Sequence, residues 1–288
     1  VEGADAEGVP LVNRVVDSET VRSLLPGGIA LPFGRAMMVS GADATMTARS
    51  IAEGRIDLAR LSTDHDDSAR EVALRLANEA LLHVDTVVAA RNDRLDRLGE
   101  GERPLLYVIV ASGNIYEDVV QARVCVKAGA QVIAVIRSTA QSLLDYIPEG
   151  STTEGFGGTF ATQENFRIMR AALDEASEEA GHYVRLCNYA SGLCMPEMSA
   201  LGAMERLDVM LNDALYGILF RDINMQRTLT DQAFSRLISA AGGIIINTGE
   251  DNYLTTADAL EAAHTVLASQ FINEAIALRC GLKPWQLG

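Results

Sequence analysis

A chain of 288 residues that is 48% hydrophobic can build an ordered core in one large domain, or in one domain with an extension. Its formal charge of −15 and pI near 4.7 come without any Lys/Arg-rich run, which excludes the concentrated basic face that nucleic-acid phosphates need. No stretch approaches the roughly 18 uninterrupted apolar residues of a membrane helix; the four cysteines, Cys125, Cys187, Cys194 and Cys280, lack the spacing of a disulfide framework or a zinc site, so a reducing cytoplasm is the expected compartment.

The opening residues Val1-Glu2-Gly3-Ala4-Asp5 carry no signal-peptide pattern. Because no initiator Met is present, an upstream segment outside this sequence is expected. Residues 1–100 read as a mostly helical region, punctuated by Gly27-Gly28 and Pro32-Phe33-Gly34, with helical periodicity over Ala42 to Glu53 and Asp66 to Arg91. The cluster Asp64-His65-Asp66-Asp67 concentrates metal-ligand types, but it stands before a helix and lacks the glycine and terminal glutamate of a calcium loop. Helix capping is the preferred reading.

From residue 101 to 288 a strand-helix rhythm sets in. The predicted strands are Leu105 to Ala111, Gln131 to Ile136, Tyr183 to Asn188, Leu207 to Leu211 and Gly243 to Ile246. Helical stretches follow them, including Gln163 to Ala180, Glu197 to Glu205 and a long one from Thr255 to about Leu278. The alternation predicts an α/β fold with a parallel sheet. Five units suffice for a doubly wound sheet, whereas a closed βα barrel needs eight strands, so a barrel would be incomplete in this chain.

Polar residues collect at the carboxyl ends of these runs, the edge where α/β sheets and barrels bind ligands. Arg137, followed by Ser138, Thr139 and Ser142, places a guanidinium and hydroxyls where a phosphate or carboxylate could be held; a salt bridge at the sheet edge is the other reading. The glycine-rich segment from Thr152 to Thr162 is either an anion-binding turn or a surface loop, and it is not a P-loop. In Asn188-Tyr189-Ala190-Ser191-Gly192, Ser191 either meets a heteroaromatic nitrogen or makes a turn. Tyr216 could stack on a planar cofactor beside Arg221, or fill the core. Glu250-Asp251-Asn252-Tyr253 could hold a substrate ammonium or serve as helix-entry residues. The histidines, His65, His83, His182 and His264, lie away from the strand ends, which disfavours a Ser-His-Asp arrangement.

Five long strings at these strand ends closely resemble the alpha (large) subunits of the lysine 5,6-aminomutase family. They are Arg137 to Tyr146, Thr152 to Phe166, Asn188 to Glu197, Leu211 to Arg227 and Ile244 to Asp258. The resemblance implies a TIM-like βα barrel, incomplete here, with a helical N-terminal extension. It also implies binding of pyridoxal 5'-phosphate and cooperation with adenosylcobalamin in a radical 1,2-shift of the terminal amino group of D-lysine or L-β-lysine. On this basis Arg137 and Ser142 would hold the cofactor phosphate, Ser191 would face the pyridine nitrogen and Tyr216 would stack on the ring. Arg221 would meet the phosphate or substrate carboxylate, and Asp251 with Asn252 would lie near the substrate, Tyr216 and Asp251 being the catalytic candidates.

Lysine usage agrees with this. The chain has only Lys127 and Lys283, neither at a predicted strand end, and it lacks an Asp-x-His-x-x-Gly cobalamin motif. The resemblance implies that a beta (small) subunit supplies both the Schiff-base lysine and the cobalamin domain, with no metal, nucleic-acid or membrane partner. It also implies that alpha subunits run well beyond the position of Gly288. Two alternatives stand beside this reading: a D-ornithine 4,5-aminomutase large component, and a truncated, non-catalytic cofactor-binding or assembly subunit.

Overall fold

Strands form where the β-branched and apolar runs fall, since a segment buried on both faces must pair its backbone polar groups within a sheet. The computed structural model describes residues 3–16, 20–21, 23–24, 27–137, 154–155, 158–160, 162–190, 195–212, 225–246 and 259–288. These divide into two units, one of residues up to Leu82 and one from His83 onward.

The first unit is helical. It contains α1 (Leu11–Val16), α2 (Ala30–Ser40), α3 (Ala44–Ala52) and the opening turns of α4 (Asp66–Leu98). Leu11, Val15, Ala36, Ala48 and Ile51 share its core. The Pro32-Phe33-Gly34 punctuation lies inside α2 rather than at a break. Pro32 falls in the first turn, where its missing N–H has no intrahelical acceptor. Gly34 is required by packing: a Cβ there would stand 2.5 Å from the Ala69 carbonyl oxygen of α4. Asp66 and Asp67 occupy the first turn of α4. The Arg35 guanidinium, 2.5 Å from Asp66, holds that carboxyl below its usual range.

The second unit is a parallel sheet with helices between its strands. Along the chain come β1 (Tyr107–Ile109), α5 (Ile115–Lys127), β2 (Val132–Arg137), β3 (Glu154–Gly155), β4 (Gly158–Phe160), α6 (Gln163–Ala180) and β5 (Arg185–Ala190). They are followed by α7 (Met195–Met204), β6 (Val209–Asn212), α8 (Met225–Ala241), β7 (Ile245–Ile246) and α9 (Ala259–Arg279). The parallel pairs are β1 with β2, β2 with β5, β5 with β6, and β6 with β7. A parallel bridge from Ile246 to Leu287 takes the next position in the same direction.

A doubly wound sheet reverses its order at a switch point, and this one advances in a single direction, as a barrel does. Five of the eight strands of a TIM-like barrel are therefore laid down in sequence. The short hairpin of β3 and β4 departs from the sequence reading, which ran the glycine-rich segment straight into a helix. β4 pairs in parallel with the last residues of β2, and β3 turns back antiparallel on β4.

Alternation along the strands separates two faces. Ile133, Leu186 and Met210 pack against Ile115 and Val126 of α5 and against Phe166 and Leu173 of α6. Val132, Ala134 and Cys187 face the other way, with Leu105, Val209 and Leu211 around them. Burial pushes the Cys187 thiol up to about 12, which makes it a packing group rather than a nucleophile.

At the edge where strands begin lies a buried charge cluster. Asp208, just before β6, accepts from Arg170 Nη1 and Tyr183 Oη at 3.0 Å each and from the Leu186 amide at 2.8 Å. Arg91 of α4 reaches the same carboxylate at 3.1 Å and donates to the Leu207 and Gly242 carbonyls at 2.5 and 2.7 Å. The Arg170 guanidinium lies over the Tyr183 ring, 5.1 Å from its centre. One carboxylate thus ties α4 and α6 to β5, β6 and the turn before β7. Among the described residues no helix is long and apolar enough to cross a membrane.

Asp208→Asn leaves two buried guanidiniums short of counter-charge and is expected to cost about 3–5 kcal/mol, read by urea unfolding; a loss under 1 kcal/mol would refute the anchoring role. Burial, with Asp208 alongside, pushes the Tyr183 phenol up from 10.0 to about 12. Its contribution to stability is full below pH 10 and falls as the pH climbs towards 12. The alkaline slope of the unfolding midpoint should therefore flatten in Tyr183→Phe, and an unchanged slope would assign the loss to other groups.

Candidate functional site

The carboxyl edge of the sheet gathers strand ends and helix starts, because each strand hands over there to the next helix. Past β1, Asn114 caps α5 by accepting the Tyr116 amide at 3.0 Å, and Ser112 Oγ donates to the Asn114 carbonyl at 3.1 Å. Thr162 caps α6 by accepting the Asn165 amide at 3.1 Å. Both helices therefore turn their positive dipole ends to this edge, an environment that favours anions.

Arg137 closes β2 at this edge, in register with Phe160 of β4 on one side and Tyr189 of β5 on the other. The register is not continuous. Ala134 pairs with Cys187 while Ile136 pairs with Asn188, so β2 carries one extra residue at this point. This bulge puts Arg137 in the row of Tyr189 and Leu211, and Leu211 packs with the Cys187 face. The row before it runs Thr159, Ile136, Asn188, Met210, Ile246, in which Met210 packs with the helix-facing core.

Ser142, Ser191, Tyr216, Arg221, Asp251 and Asn252 lie outside the described residues. In chain order Ser142 follows β2, Ser191 is the residue after β5, Tyr216 and Arg221 follow β6, and Asp251 with Asn252 follow β7. Among the predicted site residues, the described structure thus places Arg137, beside the strand that leads into Ser191. His182 stands before β5, at the opposite edge, and His83 on α4 has Nε2 3.2 Å from the Met204 carbonyl oxygen. Neither stands at a strand's carboxyl end.

Two features escaped sequence reasoning. Asp118, fully buried in the first turn of α5, accepts from the Ser112 amide and from Ser112 Oγ at 2.7 Å each, and also from Thr159 Oγ1. Its local signal is an Asn-x-x-x-Asp start to a helix, which reads as ordinary capping. Asn188 is also fully buried, and among the described residues neither its Oδ1 nor its Nδ2 has a hydrogen-bond partner.

Comparison with known proteins follows from this geometry. Residues 1–288 match a family model described as the D-lysine 5,6-aminomutase TIM-barrel domain of alpha subunit. The chain is 57% identical over 288 residues to the lysine 5,6-aminomutase alpha subunit of Acetoanaerobium sticklandii, covering 100% of this chain and 56% of that protein. It is 55% identical over 290 residues to the lysine 5,6-aminomutase alpha subunit of Fusobacterium nucleatum subsp. nucleatum, with the same 100% and 56% coverage. It is 32% identical over 181 residues to the D-ornithine 4,5-aminomutase subunit beta of A. sticklandii, over 62% of this chain and 24% of that one. The chain thus spans about half the length of the two lysine relatives.

A buried amide with both ends unmet is costly, and replacing it with an apolar group of similar size removes that cost. Asn188→Leu is expected to raise stability by about 1–3 kcal/mol in urea unfolding. A loss of stability instead would mean that the amide is paired in solution.

Proposed function

Because the chain belongs to the family of D-lysine 5,6-aminomutase alpha-subunit TIM-barrel domains, we propose that it is the barrel portion of a pyridoxal-phosphate- and adenosylcobalamin-dependent aminomutase. The reaction would be a 1,2-shift of the terminal amino group of D-lysine or L-β-lysine. In this reading residues 1–100 form a helical region and residues 101–288 carry the cofactor site, in a cytoplasmic heteromer. The observation that carries the proposal is the 57% identity over all 288 residues of the chain. The ornithine reading is weaker, with 32% identity over 62% of the chain.

The residues at the carboxyl edge fit a planar, phosphate-bearing cofactor in one respect and leave it incomplete in another. Arg137 at a strand end, beside the dipole ends of α5 and α6, is a donor set suited to a phosphate. An anchoring amine is absent from this edge. Lys127 ends α5, where β2 is about to begin, and pairs with Glu179 at 3.6 Å; Lys283 precedes the Leu287 bridge. The two lysines of this sequence both stand on the side where strands start, which agrees with an aldehyde-anchoring lysine supplied by a beta (small) subunit together with the cobalamin domain.

Within this reading Arg137 and Ser142 bind the phosphate, Ser191 meets the pyridine nitrogen and Tyr216 lies against the ring. Arg221 receives the phosphate or the substrate carboxylate, while Asp251 and Asn252 hold the amino-acid substrate. When bound, pyridoxal phosphate supplies a conjugated carbonyl for the migrating amino group, and adenosylcobalamin supplies the radical that starts the shift. The chain's own work is to fix the orientation of both partners to the reaction and to keep water out.

The test combines the full chain with a family beta subunit and pyridoxal phosphate and follows the cofactor absorbance. A spectral change that needs the beta-subunit lysine, and that weakens roughly ten- to a hundredfold in affinity in Arg137→Ala or Ser191→Ala, is the expected outcome. No spectral change in any pairing would sink the cofactor assignment.

A further inference from the structure

The buried Asp118 carboxylate is unusual in its surroundings. Among the described residues it forms no ion pair, and its charge is met by three donors, the Ser112 amide, Ser112 Oγ and Thr159 Oγ1. It also lies in the first turn of α5, where the helix dipole favours a negative charge. A buried carboxyl group is costly unless its oxygens are hydrogen-bonded, and here the bonds join separate segments of the chain. It joins the loop that leaves β1 to β4, and β1 and β4 both pair with β2.

β1 covers the first part of β2, with Tyr107 to Ile109 opposite Val132 to Ala134. β4 covers the last part, with Thr159 opposite Ile136 and Phe160 opposite Arg137. Between these lies the bulge that sets the row of Arg137. The hairpin is short, and among the described residues two register pairs join it to β2. Asp118 supplies the missing restraint by gripping Thr159, the residue before the Arg137 partner, and tying it to the start of α5.

We propose that Asp118, acting through Thr159, is a positioning residue for the phosphate end of the cofactor site. It holds β4 on the strand end that carries Arg137, and so fixes the backbone register at that residue. The inference rests on the reading of Arg137 as a phosphate donor.

The experiment uses the full chain assembled with its beta subunit and measures dissociation constants for pyridoxal phosphate and for pyridoxal, which lacks the phosphate. Thr159→Val removes the hydroxyl at constant shape, Thr159→Ser keeps it, Asp118→Asn removes the charge, and Arg137→Ala is the control. Thermal unfolding identifies any variant that fails to fold, in which case the Thr159 pair decides. The positioning role requires Thr159→Val and Asp118→Asn to weaken pyridoxal phosphate roughly tenfold with pyridoxal changed less than about twofold, and Thr159→Ser to restore binding.

Equal weakening of both ligands would make the contact merely structural and overturn the proposal. So would an unchanged affinity in Thr159→Val and Asp118→Asn while Arg137→Ala weakens the phosphate-bearing ligand. If Arg137→Ala itself does not discriminate the two ligands, the cofactor-site reading falls and the proposal with it.

Discussion

A single buried carboxylate, Asp208, sets the constraint on which the second unit depends. Two guanidiniums, from Arg91 and Arg170, are taken out of water around it. Buried charges are tolerated where their partners are well placed, and here the backbone carbonyls of Val184, Leu207 and Gly242 accept from the same two guanidiniums. The result is a rigid join of α4, α6, β5 and β6 at the edge where strands begin. Chemistry in α/β barrels collects at the opposite edge. Strain or sequence change among the loops there is thereby kept apart from the groups that hold the sheet together.

With that edge anchored, the one-directional winding follows from ordinary local physics. The apolar strands bury one face under the helices that lead into them, as Ile133 and Leu186 do under α5 and α6. Two of these helices, α5 and α6, start with a polar cap, Asn114 and Thr162, at the carboxyl edge. Repetition of the unit delivers strand ends to the same rim, and at α5 and α6 a positive helix end with them.

The strand-helix alternation was legible because β-branched runs such as Val132 to Ile136 and the periodic apolar residues of α6 obey local rules. Barrel winding was not separable from a doubly wound sheet on pattern alone, since strand order is a long-range property. The β3–β4 hairpin was missed because Gly155, Gly157, Gly158 and Thr159 offer no alternation to read. α2 was obscured by Pro32 and Gly34, whose meaning lies in Ala69, thirty-five residues beyond Gly34. The site candidates were found by their position after strands and by long family-like strings. Asp118 was invisible because its partner Thr159 is forty-one residues away.

The bulge in β2 gives the strand a reading frame. Side chains alternate along a strand, so the side on which a chemical group is offered is decided by counting residues from the last fixed point. Ala134 opposite Cys187, followed by Ile136 opposite Asn188, inserts one count. Without it, Ile136 would take the register position opposite Tyr189 that Arg137 holds, and a sec-butyl residue would replace a guanidinium residue in that row. A single added or removed residue in this short stretch would therefore act as a frameshift in space, exchanging charge for grease at the rim while leaving the composition of the strand almost untouched.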